Sequence, residues 1–95
     1  MLRITVEDTA NATTFRLEGK LTGPWVHEFE RTWRDFRDRT PGTPLTVDLC
    51  QVSFIDSEGK KLLRQMFEEG AELRAHLMTK YIVDEVTAQR NGNGG

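Results

Sequence analysis

Apolar and polar residues alternate from the start of the chain. Leu2, Ile4 and Val6 fall on one side of an extended backbone, with Arg3, Thr5 and Glu7 on the other. A period of two predicts a half-buried strand. After a turn at Asp8-Thr9-Ala10-Asn11, Phe15, Leu17, Gly19 and Leu21 repeat the pattern against Arg16, Glu18 and Lys20. The two runs predict a hairpin, although the turn lacks an Asn-Gly pair. The period then changes. Gly23-Pro24 opens a helix with Pro24 at its first position. Trp25, Val26, Phe29, Trp33 and Phe36 line one face, while Glu30, Arg34 and Asp38 form a charged ladder on the other. Thr40-Pro41-Gly42-Thr43-Pro44 ends it.

Alternation returns at Leu45, Val47 and Leu49, set against Thr46, Asp48 and Cys50, and this third strand runs on toward Phe54-Ile55. A second helix is predicted from about Ser57, with Leu62, Leu63, Met66 and Phe67 as its apolar stripe and Gly70 as its stop. Leu73, Ala75 and Leu77 alternate with Glu72, Arg74 and His76 as a fourth strand. Tyr81, Ile82, Val83 and Val86 suggest a short third helix. The order is β-β-α-β-α-β-α. Strands that alternate cleanly have one polar face, whereas a sheet covered on both faces needs nearly continuous apolar strands. The expected fold is therefore an α/β four-stranded mixed sheet with helices mainly on one face. That argues against a doubly wound nucleotide-binding fold.

The length, 95 residues, predicts one domain over 1–90 and a disordered tail over 91–95. Thirteen Lys and Arg are interleaved with fifteen Asp and Glu, for a formal charge of −2, and no basic stripe emerges. Nucleic-acid binding is therefore not expected. No apolar run is long enough for a membrane span, so no direct membrane insertion is expected. The alternating N-terminal run has no apolar signal-peptide core. A single cysteine, Cys50, forms no intramolecular disulfide, and a cytoplasmic location is the expectation. His27 and His76 are isolated, so no metal site and no cofactor are expected. There is no nucleophile–base pair at interpretable spacing and no Gly-rich phosphate loop. The expectation is that this is not an enzyme, and that any chemistry is done to it.

The candidate site is the turn Phe54-Ile55-Asp56-Ser57-Glu58-Gly59, where a strand runs into a helix. Free N–H groups and the helix dipole favour negative charge at such a start. Ser57 reads either as a phosphoacceptor and partner contact or as a plain N-cap. Asp56 reads either as the true cap or as an oriented carboxylate beside the hydroxyl, and the two roles are compatible. Glu58 reads either as a permanent negative charge that weakens kinase-type binding or, as preferred, as an acid that suits the helix dipole. Gly59 reads either as a place where a partner or a neighbouring loop approaches the backbone closely or as an ordinary turn residue. Lys60, Lys61 and Arg64 read as a basic cluster at the exposed helix start, either meeting an acidic partner or simply solvated. The two tryptophans read as core, and Cys50 as incidental.

The element order, the Leu17-Glu18-Gly19-Lys20-Leu21 segment, the Val47-Asp48-Leu49 strand and the Asp56-Ser57-Glu58-Gly59 turn together resemble a STAS domain, the sulfate-transporter and anti-sigma-factor-antagonist family. The resemblance implies a partner that is both an anti-sigma factor and a serine kinase, with Ser57 as the phosphorylated residue. The phosphorylated form would release the anti-sigma factor, and a phosphatase would reset the cycle. Taken together, the residue reading and the resemblance give Asp56, Ser57, Glu58, Gly59, Lys60, Lys61 and Arg64 as the expected partner-binding residues. The chain departs from the family pattern at Glu58, often Ser, Thr or Ala, at Lys60 and Lys61, usually apolar or small, and in a shortened C-terminal end.

Two rivals remain at this level. One is a constitutive STAS adaptor subunit of a transporter or signalling scaffold. The other is a phosphoaspartate receiver built on Glu7-Asp8 and Asp48 or Asp56, which the strand-like second segment disfavours. A homodimer through the open sheet face or a helix edge stays open.

Overall fold

The computed structural model describes residues 1–75 and 80–92, with 89–92 described by backbone alone. The order is β1 (Leu2–Asp8), β2 (Thr13–Leu21), α1 (Pro24–Arg39), β3 (Leu45–Ile55), α2 (Ser57–Glu68), β4 (Glu72–Arg74) and α3 (Lys80–Gly92). The four strands lie in sequence order in one sheet. β1 pairs antiparallel with β2, whereas β2–β3 and β3–β4 are parallel.

The hairpin turn is organised by Thr9. Its hydroxyl donates to the Ala12 carbonyl at 3.0 Å and accepts from the Ala12 N–H at 3.1 Å. A threonine hydroxyl thus does the work that an Asn-Gly turn does through backbone shape. Both parallel connections step the same way across the sheet. Such crossovers are right-handed almost without exception, so α1 and α2 fall on the same face. Burial agrees with this. Phe15, Leu17, Leu21, Val47 and Leu49 are buried beneath Phe29, Trp33, Leu63 and Met66, while Arg3, Glu7, Gln51 and Ser53 are exposed. Phe15 meets Phe29 and Phe36 edge-on, with ring centroids 5.6 and 5.5 Å apart. Trp33 is buried, and Trp25 is half-buried against the same core.

The uncovered face is ionic. Arg16 lies 3.1 Å from Glu7 and 3.8 Å from Asp48. Asp48 is in register with Arg74, so charges alternate in sign across the sheet. Burial pushes the Asp48 carboxyl up, but the Cys50 backbone and thiol bonds and the Arg74 and Arg16 charges hold it below its ordinary range. The same thiol bond, burial and the Asp48 charge push the Cys50 thiol up.

Three elements differ from the expectation. β3 does not keep one phase. Register shifts between Arg16 and Glu18 and between Gly19 and Lys20 put extra residues into it. Its buried positions therefore jump from Val47 and Leu49 to Val52 and then Ile55, which turns Phe54 outward. β4 is assigned only over Glu72–Arg74, while His76 and Leu77 lie outside the described residues. α3 runs through Asn91 and Gly92, which composition had assigned to the tail, and 93–95 lie outside the described residues.

Candidate functional site

The parallel strands β2 and β3 end together, with Leu21 in register with Ile55. Asp56 follows at once. Its backbone is extended, and its side chain caps α2 by accepting the Gly59 N–H on Oδ1 at 2.8 Å. Its other oxygen, Oδ2, accepts the Gly23 N–H at 2.9 Å. Gly23 itself opens α1 with φ at +53°, a conformation that side-chain-bearing residues rarely adopt. One carboxylate therefore ties the starts of both helices together. Burial pushes Asp56 up, but the N–H groups of Gly23, Gly59, Glu58 and Asp56 itself outweigh it and hold the carboxyl below the ordinary carboxylate range.

Gly59 is where α2 passes over the end of β2. A Cβ there would lie 2.9 Å from the Leu21 carbonyl oxygen and 2.8 Å from Ile55 Cγ2. The close neighbour is thus the chain's own strand, and a side chain would lift α2 away from it. Leu21 O also accepts the Asp56 N–H at 3.2 Å, so the turn is bonded on both sides.

With the cap supplied by Asp56, Ser57 is the first helical residue. It is exposed, and its hydroxyl has no hydrogen-bond partner among the described residues. Glu58 is exposed beside it and pairs with Lys61 at 3.5 Å. Lys60 turns the other way, toward Glu85 of α3 at 3.6 Å. Arg64 is half-buried, with a buried Nε that has no hydrogen-bond partner among the described residues. The expected basic cluster is thus divided. Two of its members are occupied by acids on different sides of α2, and the third lies partly inside.

The structure adds two residues that the pattern did not single out. Phe54 is 53% exposed and Tyr81 is 65% exposed. They help to line a groove of about 310 Å³ together with Ile55, Asp56, Ser57 and Lys60. The signal for Phe54 lay in the adjacent pair Phe54-Ile55, because neighbouring strand residues point to opposite faces. Among the described residues no group of His, Cys, Asp and Glu could hold a metal ion. No helix among them is long and apolar enough to cross a membrane.

The sheet order, the helices on one face and the bonded Asp-Ser turn at the start of α2 are the arrangement that the STAS resemblance implies. A family model for the STAS domain matches residues 3–87. The chain belongs to the STAS family. Solved structures agree on this STAS fold. An antisigma-factor antagonist STAS domain from Rhodobacter sphaeroides superposes with a TM-score of 0.59 at 24% identity, covering 82% of this chain and 88% of that one. An uncharacterized protein with a SpoIIAA-like fold from Shewanella loihica gives 0.55 at 9% identity, covering 90% and 93%. A protein named Mglu gives 0.58 at 18% identity over 76% of this chain, which spans only 19% of Mglu. A comparison with curated protein sequences finds no significant match. STAS domains generally mediate protein–protein interactions.

Proposed function

We propose that this STAS chain is an anti-sigma factor antagonist-like regulator, which binds an anti-sigma factor serine kinase and is switched by phosphorylation at Ser57. The observation that carries this reading is the division of labour at the turn. Asp56 makes the cap, so the exposed Ser57 hydroxyl has no structural task to lose. The Rhodobacter antagonist among the structural neighbours supports the class of partner.

The chemistry fits the geometry. A kinase would transfer the γ-phosphoryl group of ATP to Ser57 Oγ, with ADP leaving and the hydroxyl proton passing to a base on the kinase. Asp56 does not serve as that base, because both its oxygens accept backbone N–H groups. The product would place about two negative charges at the N-terminus of α2, which tolerates them. A partner packed over the turn would not, with Glu58 adjacent and the phosphate needing water. Hundredfold release requires about 2.7 kcal/mol, within reach of one desolvated and repelled phosphate. Partner contacts are proposed at Asp56, Ser57, Glu58, Lys60 and Lys61, while the buried Gly59 holds α2 against the end of β2. Arg64 acts from beneath, through the packing of α2.

A tagged pull-down from the native cell, with mass spectrometry of bait and companions, tests this. A kinase-like ATPase on unmodified bait, phosphate on Ser57 of free bait and loss of the complex in Ser57→Asp are the expected results. Transporter or scaffold subunits on bait never modified at Ser57 would replace this reading with a constitutive adaptor.

A further inference from the structure

We propose that the outer edge of β1 is a self-association surface, and that its occupant is β1 of a second copy of this chain. β1 and β4 are the two edge strands of the sheet. β4 is short, assigned only over Glu72–Arg74. β1 runs from Leu2 to Asp8, and its register against β2 is unbroken by any bulge. It also carries no Pro and no Lys, two residues by which proteins protect such an edge.

The ladder to β2 tells which backbone groups face outward. Lys20 donates its N–H to the Met1 carbonyl at 3.0 Å, and Leu2 is in register with Gly19. Bonding alternates residue by residue along an antiparallel pair. Arg3, Thr5 and Glu7 therefore bond to β2, whereas Leu2, Ile4, Val6 and Asp8 turn their N–H and C=O groups to the outer edge. On the core face Ile4 and Val6 are only half-buried, because α1 packs chiefly on β2 and α2 on β3 and β4. The edge thus offers a strand-shaped set of donors and acceptors beside apolar surface that is still partly wet.

Self-complementarity selects the occupant. A second copy laid antiparallel about a two-fold axis at Thr5 sets Ile4 against the partner's Val6, Thr5 against the partner's Thr5 and Arg3 against the partner's Glu7. Ile4 and Val6 both direct their backbone groups outward, so the ladder and the side chains agree in one register. β-branched, Thr–Thr and opposite-charge pairs are the cross-strand neighbours that stabilise sheets. Moving the axis to Ile4 or Val6 keeps the backbone pattern but takes Arg3 away from the acid. Arg3 is exposed and has no ion-pair partner among the described residues. Glu7 meets Arg16 through Oε1 and is half exposed, which leaves Oε2 for Arg3. The same patch on both copies makes a closed two-fold contact. The two sheets would become one, with all helices on one face and the Ser57 turns at opposite ends, both uncovered. The inference does not rest on the function proposed above.

The test is sedimentation equilibrium of the full chain from micromolar to near-millimolar concentration, with amide hydrogen exchange at both limits. A monomer–dimer equilibrium is expected. The Ile4 and Val6 amides should exchange freely when dilute and be protected when concentrated, while the Thr5 amide is protected at both limits. Arg3→Glu and Glu7→Arg each set like charges against one another. Each should weaken dimerisation by about tenfold, since the two-fold axis counts every change twice. A chain carrying both substitutions has opposite charges in register again and should recover dimerisation. Thr5→Glu brings two acids together at the axis while facing Arg16 within the chain, so it should abolish the dimer without loss of fold. Thermal melts of the dilute variants check the fold. A monomer at every concentration overturns the proposal. So does a dimer that ignores Thr5→Glu, one that the double substitution fails to restore, or one that is lost in Phe54→Ala.

Discussion

The two ends of the β2–β3 pair are built from similar materials and finished differently. At the starting end, where Thr13 is in register with Leu45, polar groups close on one another. Arg37 lies 4.9 Å above the Trp33 ring and 2.9 Å from Glu69. The Thr13 hydroxyl donates to Asp8 at 2.9 Å, and the Thr40 hydroxyl to the Phe36 carbonyl at 2.7 Å. A cleft of about 270 Å³ remains there, and its rim includes the paired Thr13, Arg37, Thr40 and Glu69 side chains. At the finishing end the backbone is equally well bonded through Asp56, yet Ser57, Phe54 and Tyr81 are left facing water. A rigid frame that presents uncommitted side chains is what a contact surface needs. The starting end has the frame without the uncommitted groups.

Substitutions break this contrast in order of size. Gly59→Val should be the most damaging, because a branched side chain meets the Leu21 carbonyl and Ile55. A loss of about 3 kcal/mol in urea unfolding is expected. Asp56→Ala, which strands the Gly23 and Gly59 N–H groups, should cost about 2 kcal/mol in the same assay.

Acid titration sharpens the second case. The folded Asp56 carboxyl lies below its ordinary range. Its stabilisation is therefore present above the unfolded value of about 3.9 and fades as pH falls through the folded one. Asp56→Asn should flatten that acid limb in melts between neutral and strongly acid pH, leaving only the share due to Asp48. At the starting end, Arg37→Ala should lower the melting temperature less than Asp56→Ala does, because its pairing with Glu69 is open to solvent. Ser57→Ala should do least to the fold, within about 0.5 kcal/mol in urea. A larger loss would mean that the hydroxyl has a structural task after all.

Much of this was legible in the residues. Period and punctuation located the hairpin, Pro24 at the start of α1 and the Asp-Ser turn before α2, because those signals are local. Phe54 was harder to read, since the pair Phe54-Ile55 says only that one of the two faces outward, and the register of β3 against β2 decides which. The division of the basic cluster was hidden for a similar reason. Lys60, Lys61 and Arg64 are close in sequence, but helical rotation sends Lys60 toward Glu85 and Lys61 toward Glu58. Tyr81 was legible only as part of a short third helix, and the spacing did not say that the inward side of α3 is taken by Ile82 and Val86. Asp56 could be named as a cap, but its second bond reaches a residue 33 positions away and has no signature in the local pattern.

That long bond gives the Ser57 turn a property of its own. A free peptide containing β3 and α2 would carry the same letters but lack Gly23, and with it half of the carboxylate's partners. The turn takes its final form only after α1 has crossed over and brought Gly23 back. An enzyme or antibody selected against the native turn would then be reading a conformational epitope. Short synthetic substrates would underreport its preference for the folded chain.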